Sequence, residues 1–593
     1  MIHRQTWAVL AILTSTLVGC GSSRHSGFDM PADSDGGTDL AEGGPVILVG
    51  DGGPDGGAAG PGCSPDLQSV TDNGGNVVMK CPPDQGCASG KCMPACAAAA
   101  LDHGSVGCDF MVATPSFYAG YTAPCFSVFV TNDWTKDSVI TVTRDGMTYD
   151  VTMFGRIAAQ GTPPSSWAPV PATGVPPGKV AILFLSADPN SGFQCPVTPA
   201  LAQGTAVVGT GLGKAWHIST SIPVTNYDVL PYGGAPSVLP SGELLLPTSA
   251  WGKNYVAVVP QPGNRPNDSG NGPQWGQVLA MSDNTTVKMV PTVALPSGTG
   301  VAAAPLGAVT TYTLNAGELV QWQTAGLEMS GSVVSSDKPV AFMGGNAYLC
   351  LNSSTTTSGG CDSVHQQIPP VSALGSEYAV PPFATRRSGG LEESIPYRIV
   401  GSVDGTTLTY DPAVSGAPPT LKQGQMVDFE ATGPFVIKSQ DNNHPFYVGQ
   451  AMTGCTVKDA PGSDGDEEFV NVVAPAQYLS SYVFFTDPSY TTTNLVFTRS
   501  KTPKGFQDVK LDCAGTLTGW KPIGTSGKYE ITNVDLERNS VKNGACDTGP
   551  HTASSTGPFG LVVWGLAYAA SYAYPAGGNV ATINTVVVPP TPK

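Results

Sequence analysis

Charge is scarce in this chain: 12% of its 593 residues are charged, about half the usual share. What charge there is leans acidic, with 28 Lys and Arg against 45 Asp and Glu and a net charge of −17. No Lys/Arg block supplies a phosphate footprint, and an acidic surface is repelled by polyanions, so nucleic acid and an anionic lipid surface are excluded as partners. Long windows with a 3.6-residue apolar period are also missing, which excludes a helical bundle. Histidine is rare, at seven residues. The spacings of metal hydrolases, serine hydrolases and phosphate loops (H-E-x-x-H, G-x-S-x-G, G-x-x-x-x-G-K-[ST]) do not occur. The nearest phosphate-loop lookalike, Gly209-Thr-Gly-Leu-Gly-Lys214, lacks the first glycine and the hydroxyl after lysine, and reads as a hairpin turn.

The remaining chemical candidates are thin. Asp268-Ser-Gly270 and Asp547-Thr-Gly549 share the D-[ST]-G of aspartic proteases. Their neighbours are polar and turn-rich, whereas a shared-proton carboxylate pair needs an apolar, buried loop. His365 beside Asp362 reads as a loop histidine. Asp459, Asp464, Asp466, Glu467 and Glu468 offer clustered oxygens to calcium, but read as a solvated acidic loop. Trp216, Trp251, Trp275, Trp322, Trp520 and Trp564 alternate along strands and read as core; exposed ones would stack on sugar rings. No catalytic residue, metal ligand or cofactor is therefore assigned.

What is present begins with an address. Residues 1–20 open on His3 and Arg4, run through the apolar Trp7–Val18 and end L-V-G-C. That is a secretory signal, too short to cross a hydrocarbon layer of about 30 Å. Leu17-Val18-Gly19-Cys20 resembles the bacterial lipobox, in which the cysteine is acylated; lipidated Cys20 would tie the protein to a membrane. The expected location is the outer membrane or surface of a Gram-negative cell. Residues 21–62 carry seven acidic residues and one basic in a Gly/Pro/Ser/Ala background, a composition that cannot bury a core and reads as a disordered acidic stalk.

Fourteen cysteines point to an oxidising compartment. Cys63, Cys81, Cys87, Cys92 and Cys96 fall within residues 63–96, at spacings that fit no zinc ribbon, and read as a small disulfide module. Five is odd, so one partner is sought at Cys108 or Cys125. Cys350 and Cys361 flank a Ser/Thr/Gly loop and are expected to pair, as are Cys513 and Cys546. Cys455 has no evident partner. Without Cys20 thirteen cysteines remain, so at least one thiol is free or intermolecular.

The rest of the chain repeats. Gly331–Gly345 reads G-S-V-V-S-S-D-K-P-V-A-F-M-G-G, a strand, a tight polar turn and a second strand opening on proline. Related phrases recur at Ile218–Val224, Val436–Gly449 and Ser554–Gly565, with Pro223, Pro339, Pro445 and Pro558 spaced 116, 106 and 113 residues apart. Asp283-Asn-Thr-Thr-Val287 matches Asp404-Gly-Thr-Thr-Leu408, and the run to Trp322 hinged on Gly317 matches that to Phe429 hinged on Gly424. Leu246-Pro247…Tyr255 matches Pro369-Pro370…Tyr378 and Ala474-Pro475…Tyr482, with proline marking each strand start. The expected fold is all-β: tandem antiparallel β-sandwich-like repeats at about 110–242, 243–363, 364–462 and 467–581, behind the disulfide module. A large β-propeller with two blades per copy is the alternative.

The phrases S-D-N-T-T-V (282–287), the Gly331–Gly345 stretch, H-Q-Q-I-P-P (365–370), F-G-L-V-V-W-G (559–565) and S-Y-A-Y-P-A-G-G (571–578) resemble the IgGFc-binding protein N-terminal domain family, in order, over 107–584. With the signal and stalk, the assembly is similar to surface lipoproteins of myxobacterial type. The resemblance implies a secreted, non-catalytic binding or adhesive region for an extracellular protein or glycan. A polysaccharide-acting hydrolase and a purely structural envelope protein are the alternatives.

Overall fold

The computed structural model describes residues 61–159, 162–237, 239–265 and 272–592. The signal, Cys20, nearly all of the stalk and Asp268-Ser-Gly270 lie outside the described residues. The rest is almost entirely antiparallel β-structure, as expected of Val/Thr/Tyr-rich runs cut by Gly, Pro and Asx turns.

Each repeat is built on one long strand. These strands are Trp216–Leu230, Val333–Leu349 and Gly549–Ala567, and in the third repeat the split pair Phe435–Ser439 and Phe446–Met452. The first half of each pairs with an opening strand: Val106–Val112, Gly252–Val256, Glu377–Val380 or Leu479–Thr486. The second half pairs with a closing strand: Ser241–Leu245, Asp362–Ile368, Glu468–Asn471 or Ala570–Pro575. The two layers face each other over apolar cores anchored by the fully buried Trp216, Trp322 and Trp564. Trp275 is buried in the large central core and Trp251 nearly so. Trp520 is only partly buried and carries the Arg499 guanidinium 4.1 Å over its ring.

The expected tight turn before Pro339 is instead a bend inside one continuous strand. Pairing runs to Ser336 and resumes at Val340, so Asp337–Pro339 have no ladder partner. The same interval is skipped at 221–223 and 556–558. Proline has no N–H to give a ladder, and so sits where the strand leaves one layer for the other. Only before Pro445 is the strand broken by a loop. Because the two layers of three repeats share a strand, they are not the separate blades that the propeller alternative requires. Pro247, Pro370 and Pro475 likewise do not start strands: each begins or precedes a single 3₁₀ turn that leads from a closing strand to the next opening strand.

The closing strands are neighbours in a ring: each packs on the next, and the fourth on the first. The ring is sealed where Ser105 N–H donates to Gly578 O at 2.8 Å and Val580 N–H to His103 O at 2.8 Å. The repeats also reach into one another. Gly211–Lys214, expected as a hairpin turn, is a strand on the edge of the second repeat, paired with Glu318–Gln321.

The cysteine-rich segment joins this body. Cys63 pairs with Cys87, Cys81 with Cys92, and Cys96 with Cys108, at the start of the first repeat. Its helix Ala95–Asp102 buries Ala95 and Ala99 with Leu67 against Trp134 and Ile222.

Candidate functional site

The closing strands carry polar residues where a ring of four apolar strands would be expected. Ser241 and Glu243 come from the first, Asp362 and His365 from the second, Glu468 from the third and Ser571 from the fourth, all essentially inaccessible to solvent. Glu468 bridges repeats: its Oε1 accepts from Ser241 Oγ at 3.0 Å and its Oε2 from Ala573 N–H at 3.2 Å. His365 Nε2 lies 2.8 Å from Oδ1 of Asp228, on the first long strand. Glu243 stands beside this pair, and one ligand atom from each of Asp228, Glu243 and His365 lies within 4.8 Å of the other two. No N–H or O–H donor reaches either Glu243 oxygen or Asp228 Oδ2 at full hydrogen-bond geometry; the two carboxyls stand close enough to share a proton, and the Gln367 backbone N–H acts weakly on Glu243. Burial, with the Asp228 carboxylate beside it, holds Glu243 well above the usual carboxylate range. Burial does the same to Glu468, against the donors that reach it.

A second acidic group adjoins this one. Glu467 Oε1 accepts from Leu351 N–H at 2.7 Å and pairs with Arg265. Neither Asp362 oxygen has a hydrogen-bond partner, and Asp466 interacts with the side chain and N–H of the neighbouring Glu467. Burial first, then the charges of Asp466 and Glu467, pushes Asp362 well above its ordinary range. Gly360 makes room for Asp466: a Cβ there would stand 1.6 Å from its Oδ2. Two expectations are overturned. Asp466, Glu467 and Glu468 are not a solvated loop, since all three are fully buried where the third closing strand enters the ring. His365 is not a loop histidine but the middle of the second closing strand.

The surface offers a different environment. A polar cleft of about 350 Å³ opens between the third and fourth repeats, lined by Glu377, Lys438, Asp441, Lys528, Tyr529 and Asn584 among others. Glu377 accepts from Tyr529 Oη at 2.7 Å and from Lys528 Nζ at 3.1 Å, with Lys438 Nζ at 3.5 Å. Partial burial opposes the charge, but these partners hold the Glu377 carboxyl below its usual range.

The family described as IgGFc binding protein matches residues 241–565. The chain belongs to this family. Human IgGFc-binding protein is 27% identical over 271 residues, covering 45% of this chain and 4% of the human protein, so the chain accounts for a small fraction of that relative's length. No solved structure matches the chain. The family match takes in the first, second and third closing strands and the cleft residues Glu377, Lys438 and Lys528, and it begins after Asp228 and the disulfide module.

The disulfide residues singled out in the sequence are scaffold. Cys350 joins Cys361 and Cys513 joins Cys546, while Cys125 joins Cys195. Among the described residues Cys455 is the free cysteine, and it is buried. Asp547 pairs with Lys542 on the surface. Asp512, Cys513 and His551 also converge, but Cys513 is spent in its disulfide. Asp228 and Glu243, at the centre of the ring, carry little local signal: one lies near the end of the first long strand, the other in a five-residue strand, S-G-E-L-L. An acid at the centre of so apolar a run was the one available clue.

Proposed function

We propose that this chain is a bacterial surface lipoprotein, anchored through Cys20 in the outer membrane, whose ring of β-repeats is a non-catalytic binding module for an extracellular protein partner. The family match over 241–565 carries the binding part of this reading, the human relative being named for binding IgG Fc; the anchor rests on the L-V-G-C sequence that ends at Cys20. The distribution of polar groups agrees with it. The carboxylates and imidazole gathered on the closing strands are enclosed in the ring, where no polymer reaches them. The open polar surface is the cleft around Glu377, whose Lys438 and Lys528 side chains are 49% and 55% exposed. A mixed-charge cleft suits a polar loop of a protein partner, with electrostatics acting mainly on encounter.

Binding of the full chain to IgG Fc and a panel of extracellular glycoproteins and glycans is the test. The expected outcome is saturable binding to a protein, with association several-fold slower in the Lys438→Ala/Lys528→Ala double variant and at raised salt. Turnover of a polysaccharide, or no binding across the panel, rules the reading out. In a producing cell, radioactive palmitate should label the wild type and not Cys20→Ala; labelling that survives the substitution removes the anchor.

A further inference from the structure

Six carboxylates, Asp228, Glu243, Asp362, Asp466, Glu467 and Glu468, are buried together at the centre of the ring. Burying a charge without compensation is unfavourable even after relaxation. Arg265 and Arg386 are the guanidinium groups acting on the Asp466 side of the group, and Arg386 is already paired with Glu393 at 2.5 Å. Among the described residues no Lys or Arg is a leading influence on Glu243 or Glu468. Protons alone would have to hold several of these groups neutral at once, whereas one divalent cation neutralises two charges and needs no hydrogen-bond donors.

We propose that Asp228, Glu243 and His365 form a structural site for a divalent first-row transition metal of the zinc type, which fastens the first repeat to the second at the hub. Three observations carry it. The ligand atoms already lie within 4.8 Å of one another, and ligands about 2.1 Å from a common ion stand roughly 3–4 Å apart. Glu243 is fully buried, and no N–H or O–H donor reaches either of its oxygens or Asp228 Oδ2 at full hydrogen-bond geometry, so the two carboxyls are left to each other and have acceptor capacity for an ion. The third group is an imidazole, a donor that favours zinc-type ions over calcium or magnesium, which take oxygen. Glu468, held by Ser241 and Ala573, positions the first closing strand beside the site. The ligands span Asp228 and Glu243 from one repeat and His365 from the next, so the ion would bridge elements more than a hundred residues apart in sequence.

The test is metal content of the full chain purified without chelator, measured by plasma mass spectrometry, with thermal unfolding before and after treatment with dipicolinate. The expected result is about one transition-metal ion per chain, lost from Glu243→Gln and from His365→Gln, and a melting temperature that falls on chelation and returns with Zn²⁺. Metal retained in both variants would place it elsewhere and overturn the proposal. A wild type that carries no metal, takes up none of Zn²⁺, Mn²⁺ or Co²⁺, and is unchanged by dipicolinate also overturns it, leaving Asp228 and Glu243 to share a proton. If either variant fails to fold, the stripped wild type is reloaded with Co²⁺: a visible absorption band with histidine-type ligation supports the site, and its absence rejects it.

Discussion

Asp362 is the residue at which burial and charge are most at odds. It is inaccessible, has no hydrogen-bond partner on either oxygen, and faces Asp466, Glu467 and Glu468. Its folded-state affinity for a proton is therefore raised well above the ordinary value of 3.8, and that of Glu467 well above 4.5. For an acid shifted in this direction the folded state holds more protons than the unfolded one. Stability from these groups is complete below the ordinary values and is lost as pH rises through the raised ones. Metal-free protein should accordingly melt at progressively lower temperature as pH is raised from about 4.5 to 8. Asp362→Asn should flatten that profile and melt higher than wild type at pH 8. A wild-type profile that climbs over this range contradicts the assignment. Little of this was legible in the sequence. Asp464-Gly-Asp466-Glu467-Glu468 has the composition of a solvated loop, and nothing local reports that Glu467 and Glu468 enter a ring of closing strands. Burial of charge is a property of the convergence of four segments, which no one segment carries.

The strands were far more legible, because the recurring phrases turn out to touch. Tyr255, Tyr378 and Tyr482 each accept a hydrogen bond from the N–H three residues before them, that of Gly252, Gly375 or Leu479. Each then donates to the carbonyl of the residue that follows the bend proline: Val340, Phe446 or Phe559. The tyrosine phrase and the proline phrase recur together since one locks the other. In the first repeat Phe110 takes the tyrosine's place three residues after Gly107, leaving only the ladder pairing of Gly107 with Val224, which Gly252–Val340 and Leu479–Phe559 also make. The second pair of phrases is joined in the same way. Asp283 Oδ1 accepts from Ala316 N–H at 3.0 Å and Asp404 Oδ1 from Gln423 N–H at 2.9 Å. The polar bend contributes as well, with Asp337 and Gln440 capping the N–H groups of Thr286 and Thr407. What the pattern could not convey was that bend and strand are continuous, since Pro339 has the composition of a turn and only the ladder reveals the missing register. Tyr378→Phe strands the Gly375 N–H and the Phe446 carbonyl in a buried setting, at a cost of about 1–3 kcal/mol. Thermal or denaturant unfolding should register that loss, and Phe110→Tyr, lacking the waiting geometry, should bring no matching gain. Equal stability of Tyr378→Phe and wild type would show the lock to be incidental.

At the scale of the whole molecule, a ring of four repeats has a seam, and the chain crosses it twice. The first crossing joins Ser105 to Gly578 and His103 to Val580. The second is made by the residues beyond it, which continue over the 3₁₀ turn that follows the second closing strand and on to the second opening strand. Ile583 N–H donates to Ser372 O at 2.9 Å, and the Asn584 amide donates to Val371 O at 2.8 Å and Leu374 O at 2.9 Å. Farther on, Asn254 and Val588 exchange two hydrogen bonds of 2.8 Å, and Val588 is buried in the second repeat's core. The last segment thus straps the fourth repeat to the second, so the seam is held by a path separate from neighbour-to-neighbour packing. Asn584→Ala removes the amide from both carbonyls: Val371 O keeps the Leu374 N–H at 3.1 Å, but Leu374 O loses its donor, at a cost of about 1–3 kcal/mol. The loss should be local, because nearby elements keep their own partners and local opening is governed by the contacts of the segment that opens. Hydrogen exchange should therefore speed up at Leu374 and across 583–588, while the Gly375 and Phe446 amides at the Tyr378 lock stay protected. Exchange that quickens evenly through all four repeats would mean the strap is part of one cooperative ring, and exchange unchanged at 583–588 would mean it is held by Val588 alone.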